Sequence, residues 1–310
     1  MKLSFFQVLI VCGLMSWNTC GFGQDESAGQ VSVLVPATHE DATPDATQRT
    51  PLKVLLVAGG CCHDYQTQTQ LLKTGIEARI HAEVTVEFNP EGTQDTRFKI
   101  YEADNWAEGF DVVIHDECSA NVIEQPYVQR ILAAHRNGVP AVNLHCAMHS
   151  YRWGDYRNPV PDGAENFAWY EMIGVQSCAH GPQAPIDVSY VKDSGPITNG
   201  LEDWQTINEE LYNNVRVHST TQALATGQQL QEPSARQKKE NPEATPITAT
   251  AVVVWTNLYG PNKTRIFSTS LGHNNETVDD GRYLDLVVRG LLWATDNLTA
   301  EGKPVPNYVK

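Results

Sequence analysis

The run KVLLVA at residues 53–58, followed at once by Gly59-Gly60, narrows the fold more than any other feature of the chain. A continuous apolar run ending in glycines marks a strand covered on both faces, as in the parallel sheet of an α/β protein. The segments that follow agree. Residues 67–80 carry helical spacing, and EVTVEF at 83–88 alternates as a second strand. FDVVIH at 110–115 reads as a third, residues 127–136 as a helix stopped by Asn137-Gly138, and PAVNLH at 140–145 as a fourth strand. This alternation predicts parallel strands with right-handed crossovers, hence a doubly wound, mainly parallel sheet with helices on both faces.

The second half changes character. Strands are predicted at 186–191, 215–223, 251–256 and 265–270, the last two joined by the turn Tyr259-Gly260-Pro261-Asn262-Lys263. Residues 227–248 are polar and read as a surface loop, and 283–296 as a closing amphipathic helix. One domain is expected over 52–298, with a C-terminal tail at 299–310.

At the other end, Met1-Lys2, an apolar stretch over 3–15 and small residues at Gly21 and Gly23 predict a signal peptide cleaved after Gly23. Cys20 raises a lipoprotein alternative, but Trp17-Asn18-Thr19 makes a poor lipobox, and an uncleaved anchor is the other alternative. Export to the periplasm or the outside is expected. Residues 24–51, rich in Gln, Ala, Thr, Pro and acids, read as a disordered linker. Losing residues 1–23 removes only Lys2 of the 22 basic residues, leaving 21 against 37 acidic ones. That balance excludes nucleic acid and an anionic membrane surface as partners, because both need clustered Lys and Arg. A small-molecule carbohydrate ligand is expected, with no stable membrane insertion after cleavage and a homo-oligomer left open. Five cysteines remain (Cys61, Cys62, Cys118, Cys146, Cys178), an odd and irregular set. Adjacent Cys61 and Cys62 do not bond easily without strain, so no disulfide is assigned.

Ligands of open α/β sheets bind beyond the carboxyl ends of the strands, so polar residues there are the candidates. They are His63-Asp64-Tyr65, His115-Asp116, His145 with His149, Glu210 with Tyr212, and His273. His145 and His149, at i and i+4, could share a metal if they stand on one helix face. Glu210 is an acid/base candidate. His39, His81, His135 and His218 fit surface or helix positions. Tyr151, Trp153, Tyr156, Trp169 and Tyr170 could stack on sugar faces or pack in the core. Cys146 tempts a nucleophile reading, but the elbow falls on His145 and Gly-x-Cys-x-Gly is absent, which argues against covalent amide hydrolysis.

Gly59-Gly60 with His63-Asp64-Tyr65, the elbow at 138–149, Gly200-Leu201 with Glu210-Leu211-Tyr212, and Ser270-Leu271-Gly272-His273 together resemble the ThuA-like (trehalose utilisation) family. The resemblance implies a class I glutamine amidotransferase-like, flavodoxin-like fold whose catalytic cysteine has been lost. It also implies carbohydrate metabolism, with trehalose-type disaccharides and their 3-keto derivatives as substrates. By position, His63, His145, Glu210 and His273 match the family's polar cleft residues, and His149 is a weaker match. The cysteine pair before His63 and the 227–248 excursion depart from the pattern.

The expected chemistry is proton transfer beside a keto-sugar carbonyl, giving isomerisation or elimination. Catalysis is assigned to His145, Glu210 and His273, and substrate binding to His63, Asp64, Tyr65, Asp116, His149 and Tyr212. Glu210 or His145 would move the proton while His63 or His273 polarises the carbonyl, directly or through a divalent metal such as zinc. The metal candidates are His63, His145, His149 and His273. A non-catalytic glycan-binding module and a metal-dependent hydrolase are the alternatives.

Overall fold

The computed structural model describes residues 50–310. The predicted signal peptide, all but the last two residues of the predicted linker, and His39 lie outside the described residues.

In chain order the elements are β1 (Leu52–Gly60), α1 (Tyr65–Arg79), β2 (Ala82–Asn89), β3 (Val112–Cys118), α2 (Gln125–Arg136) and β4 (Ala141–Leu144). A short 3-10 helix at His145–His149 follows, then α3 (Ala168–Ile173), β5 (Val175–Gln176), β6 (His180–Tyr190), β7 (Trp204–Tyr212) and β8 (Arg216–Val217). The chain finishes with β9 (Gln222–Gln231), α4 (Ala235–Glu240), β10 (Ile247–Tyr259), β11 (Thr264–Thr269), α5 (Asn275–Val278) and α6 (Gly281–Ala294).

Nine strands form one sheet in the order β2-β1-β3-β4-β11-β10-β9-β6-β7, while β5 and β8 pair separately. The first five run parallel, with Val54 opposite both Val84 and Val112. From β11 onward every pairing is antiparallel. Side chains alternate across β1 and sort the core into two layers. Val54, Leu56 and Ala58 pack with Leu72 and Ile76 of α1 and with Leu284, Val287 and Leu291 of α6. Leu55 and Val57 pack with Val128, Ile131 and Leu132 of α2 and with Trp169 and Met172 of α3. Helices therefore cover both faces of the parallel half.

Local chemistry explains the boundaries. Asp64 caps α1, its carboxylate accepting from the Thr67 N–H at 3.2 Å, so the helix starts two residues before the periodic stretch. Three predictions in the second half need correction. The 215–223 strand is two pieces, β8 and the start of β9, separated by a turn at residues 218–221. The predicted loop over 227–248 contains the end of β9, α4 and the start of β10. Its polar character misled because Gln229 is buried and donates to the Ala184 and Glu209 carbonyls at 2.8 and 2.9 Å. Strand β7 was not expected at all, since buried Glu209 and Glu210 interrupt its apolar pattern. Residues 299–310 turn back onto the body, where the His81 N–H donates to the Tyr308 carbonyl at 3.0 Å. Among the described residues no helix is long and apolar enough to cross a membrane.

Candidate active site

Beyond the carboxyl ends of β1, β3 and β4, and flanked by β7, lies a cavity of about 320 Å³. Its wall includes His63, His149, Arg152, Glu210, Tyr212 and His273. They arrive from the ends of four strands, His63 after β1, His149 and Arg152 after β4, Glu210 and Tyr212 on β7 and His273 after β11, for the topological reason that makes this edge the binding edge of such sheets.

The turn after β4 places His145 at φ +31°, in backbone space that non-glycine residues rarely occupy. This is the elbow expected from the sequence, with the imidazole where a nucleophile would stand. His145 Nδ1–H donates to the Ser270 carbonyl at 2.7 Å, leaving Nε2 to face Tyr212 Oη at 3.2 Å and Glu210 Oε2 at 3.7 Å. With only 1% of its surface exposed, His145 stands behind the cavity wall and supports it.

His273 follows β11 and faces Glu210, with Nδ1 3.3 Å from Oε2. Its Nε2 lies 2.7 Å from the Gln183 amide nitrogen, so Nε2 accepts and Nδ1 carries the proton toward the carboxylate. His63 Nδ1–H donates to the His273 carbonyl at 3.2 Å, while its Nε2 meets Cys146 Sγ at 2.8 Å. The rings of His63, His145 and His273 stand 4.6–5.4 Å apart, edge to face. His180 Nδ1, also on the wall, lies 3.5 Å from Glu210 Oε1.

Burial alone would raise the Glu210 carboxyl, but the surrounding imidazoles of His145, His273 and His180 outweigh it and hold the group below the usual carboxylate range. Glu210 is therefore ionised at neutral pH. Burial would lower His273, yet Glu210 and Glu209 overcome it and raise its pKa above the ordinary value. Neighbouring Cys118, and then burial, push the Cys146 thiol up, which keeps it protonated and a poor nucleophile.

The remaining predicted residues divide. Tyr212 stacks on His149 at 4.2 Å between ring centres, and both line the cavity. His149 Nε2 bonds to Ser177 Oγ at 2.9 Å, and burial first, then Arg152, keeps its ring neutral. Tyr65 is buried edge-on to His63. Asp116 is buried off the cavity wall, its carboxyl raised by burial and by neighbouring Cys146 and Glu117. Asp64 serves its helix cap and accepts from the Asn275 amide at 3.0 Å. Of the aromatic residues proposed for sugar stacking, Tyr151, Trp169 and Tyr170 are core residues, each 1% exposed.

Four features escaped the sequence. His180 and Arg152 line the cavity, although nothing in their spacing marks them. Glu209 accepts from the backbone N–H groups of His273 and Asn274 at 3.0 and 3.1 Å and so fixes the loop that carries His273. Where the sequence assigns no disulfide, Cys61 and Cys62 form one. The sharp turn after Gly59-Gly60 allows it, because Cys62 takes φ +86° there. A glutamate pair and a cysteine pair were the available signals. Gly60 is itself required: a Cβ on it would fall 2.2 Å from the Cys118 carbonyl oxygen.

His63, His145 and His273 also bring their ligand nitrogens within 4.8 Å of one another. Nitrogens around a tetrahedral zinc stand roughly 3.4 Å apart, given Zn–N bonds near 2.0–2.1 Å. An ion would draw the three rings inward. His149 is not in this cluster, because the 3-10 turn does not give positions 145 and 149 a common helical face.

The family model for ThuA, trehalose utilisation, matches residues 53–294. The chain belongs to the ThuA family. Among solved structures, a ThuA-like protein from Parabacteroides merdae ATCC 43184 is similar at TM-score 0.53 and 18% identity, over 83% of this chain and 97% of that one. A ThuA-like protein from Bacteroides uniformis ATCC 8492 is similar at TM-score 0.51 and 14% identity, over 82% and 96% of the two chains. No curated protein matches the chain. The ThuA match spans every strand of the main sheet and all four expected cleft residues, His63, His145, Glu210 and His273. In this ThuA domain the cavity lies within the matched region, and the α4 excursion adds a wider groove of about 830 Å³ that shares His180 with it.

Proposed function

We propose that the cavity catalyses proton transfer beside the carbonyl of a keto-sugar glycoside, leading to isomerisation or to elimination of the glycosidic group. The observation that carries this reading is the Glu210–His273 pair. An ionised carboxylate 3.3 Å from Nδ1, in ion-pair contact without a formed hydrogen bond, strengthens the imidazole as a base and leaves Nε2 for the substrate. A substrate C–H would replace the Gln183 amide at Nε2. Arg152, the permanent cation on this wall, supplies the charge that an enolate oxygen requires. His145 and Tyr212 hold Glu210 and the wall behind it. A cavity of about 320 Å³ suits one sugar ring, and the groove past His180 has room for the second unit of a disaccharide.

A panel of 3-keto-glycosides, followed by NMR in D₂O, tests the reading. Deuterium should enter beside the carbonyl, and His273→Gln should lower turnover by about 10²–10⁴ with the fold intact. Absence of both exchange and product across the panel would overturn it. The convergence of three imidazoles supports a second reading, a zinc-dependent hydrolase. Stoichiometric zinc and loss of activity in chelator would favour that one. We also infer export, a reading that the Cys61–Cys62 disulfide supports because such bonds persist in oxidising compartments.

A further inference from the structure

On the rim opposite Glu210, sulfur chemistry lies outside this mechanism. Gly60 of β1 pairs with Cys118 of β3, and the absence of a Cβ lets the two backbones close on each other. The next residue, Cys61, then brings its Sγ to 3.4 Å from Cys118 Sγ while bonded to Cys62. Sulfur atoms at that separation are at van der Waals contact. The three sulfurs all lie within 4.8 Å of one another. Cys118 is a buried free thiol, whereas Cys62 is exposed and lines the cavity.

We propose that Cys61, Cys62 and Cys118 form a thiol–disulfide exchange centre on the cavity rim, in which Cys118 displaces Cys62 from Cys61 and leaves Cys62 as a free thiol facing the cavity, open to small disulfides and electrophiles. The step balances without an added oxidant. The Cys118 thiolate forms a bond to Cys61 Sγ, the Cys61–Cys62 bond breaks, and its electron pair leaves on Cys62, which takes up the proton that Cys118 gave up. The three sulfurs, all within 4.8 Å, are bent at Cys61, so the Cys118 side chain must rotate into line with the Cys61–Cys62 bond before it attacks, and the surroundings then set the direction. The neighbouring Cys146 lowers the Cys118 thiol and Arg152 adds to the effect, against burial. The departing Cys62 has solvent to receive its charge, unlike either partner.

The centre is separate from the proton-transfer reading, and its test does not use activity. Full-length protein purified without reductant is alkylated with N-ethylmaleimide under native conditions, quenched in acid, and mapped by mass spectrometry. Cys178, free and only partly buried, confirms that the reagent reaches the protein. Label should accumulate on Cys62 in step with a Cys61–Cys118 crosslink. Cys118→Ser should slow that labelling by about tenfold or more while keeping the Cys61–Cys62 bond. Cys62→Ser, incubated with oxidised glutathione as the two-electron oxidant, should instead form Cys61–Cys118. The proposal fails if Cys62 stays unlabelled in the unmodified chain, if Cys61 is labelled with it and no Cys61–Cys118 link forms, or if Cys118→Ser labels at the original rate.

Discussion

Glu209 and Glu210 are chain neighbours with separate tasks. Because successive strand residues face opposite sides, one carboxylate enters the cavity while the other reaches the backbone of the His273 loop. Glu209→Ala would take the carboxylate acceptor from two part-buried N–H groups, and hydrogen bonds to charged groups contribute about 1.5–3 kcal/mol each. Urea unfolding should record that loss, and a smaller one for Glu209→Gln, which retains an acceptor. The base assignment makes a pH prediction as well. His273 acts unprotonated, so activity must rise through its pKa, and Glu210 has raised that pKa above the ordinary value near 6.5. The rising limb of kcat/KM should therefore centre above pH 6.5 and move lower in Glu210→Gln, together with a fall in rate. A limb that stays in place in this variant would remove Glu210 from the pair.

Among the elements, the β1–α1 connection is the least tolerant. Gly60 sits at φ +99°, and any Cβ would meet the backbone of β3, which the sheet holds in place. Gly60→Ala should cost at least about 3 kcal/mol or prevent folding, measured as soluble yield and urea midpoint. The strands also differ in how plainly they announce themselves. β1 and β3 are buried along nearly their whole length by helices on either side, so their apolar runs were readable. β7 and β9 carry Glu209, Glu210 and Gln229 inward, each held by partners on other elements. No single-strand pattern can show such a partner, so β7 and all but the start of β9 leave no strand signal in the sequence.

For the molecule as a whole, a buried chain of hydrogen bonds under the sheet couples stability to pH. His135 Nδ1–H donates to the Val139 carbonyl at 2.7 Å and Nε2 lies 2.9 Å from His115 Nε2. His115 Nδ1 in turn lies 2.9 Å from Glu117 Oε1, which Tyr101 and Tyr151 also approach at 3.2 Å. Burial, reinforced by His115, lowers the His135 pKa to about 3. Below pH 6.5 the unfolded chain binds a proton at this histidine that the folded chain refuses, so stability falls as pH falls toward 3. Between pH 6.5 and 5 the loss should be about 2 kcal/mol from this group. Urea midpoints at the two pH values should show it, and His135→Gln should flatten the dependence.

The amino-acid order alone determined the parallel half of the sheet and its crossovers, because hydrophobic periodicity is a local property set by which faces are covered. It also marked His63, His145, Glu210 and His273 as candidates, since strand ends are marked by where apolar runs stop. Only the tertiary structure decided how those residues divide the work. His145 stands behind the wall, Glu210 and His273 form a pair, Glu209 and Arg152 join them from beside the predicted residues, and His180 joins from a segment with no marking of its own. Likewise Cys61 meets Cys118 only because two strands distant in sequence close on a glycine. Ionisation and sulfur contact depend on distances across the sheet, and no local pattern along one chain encodes those distances.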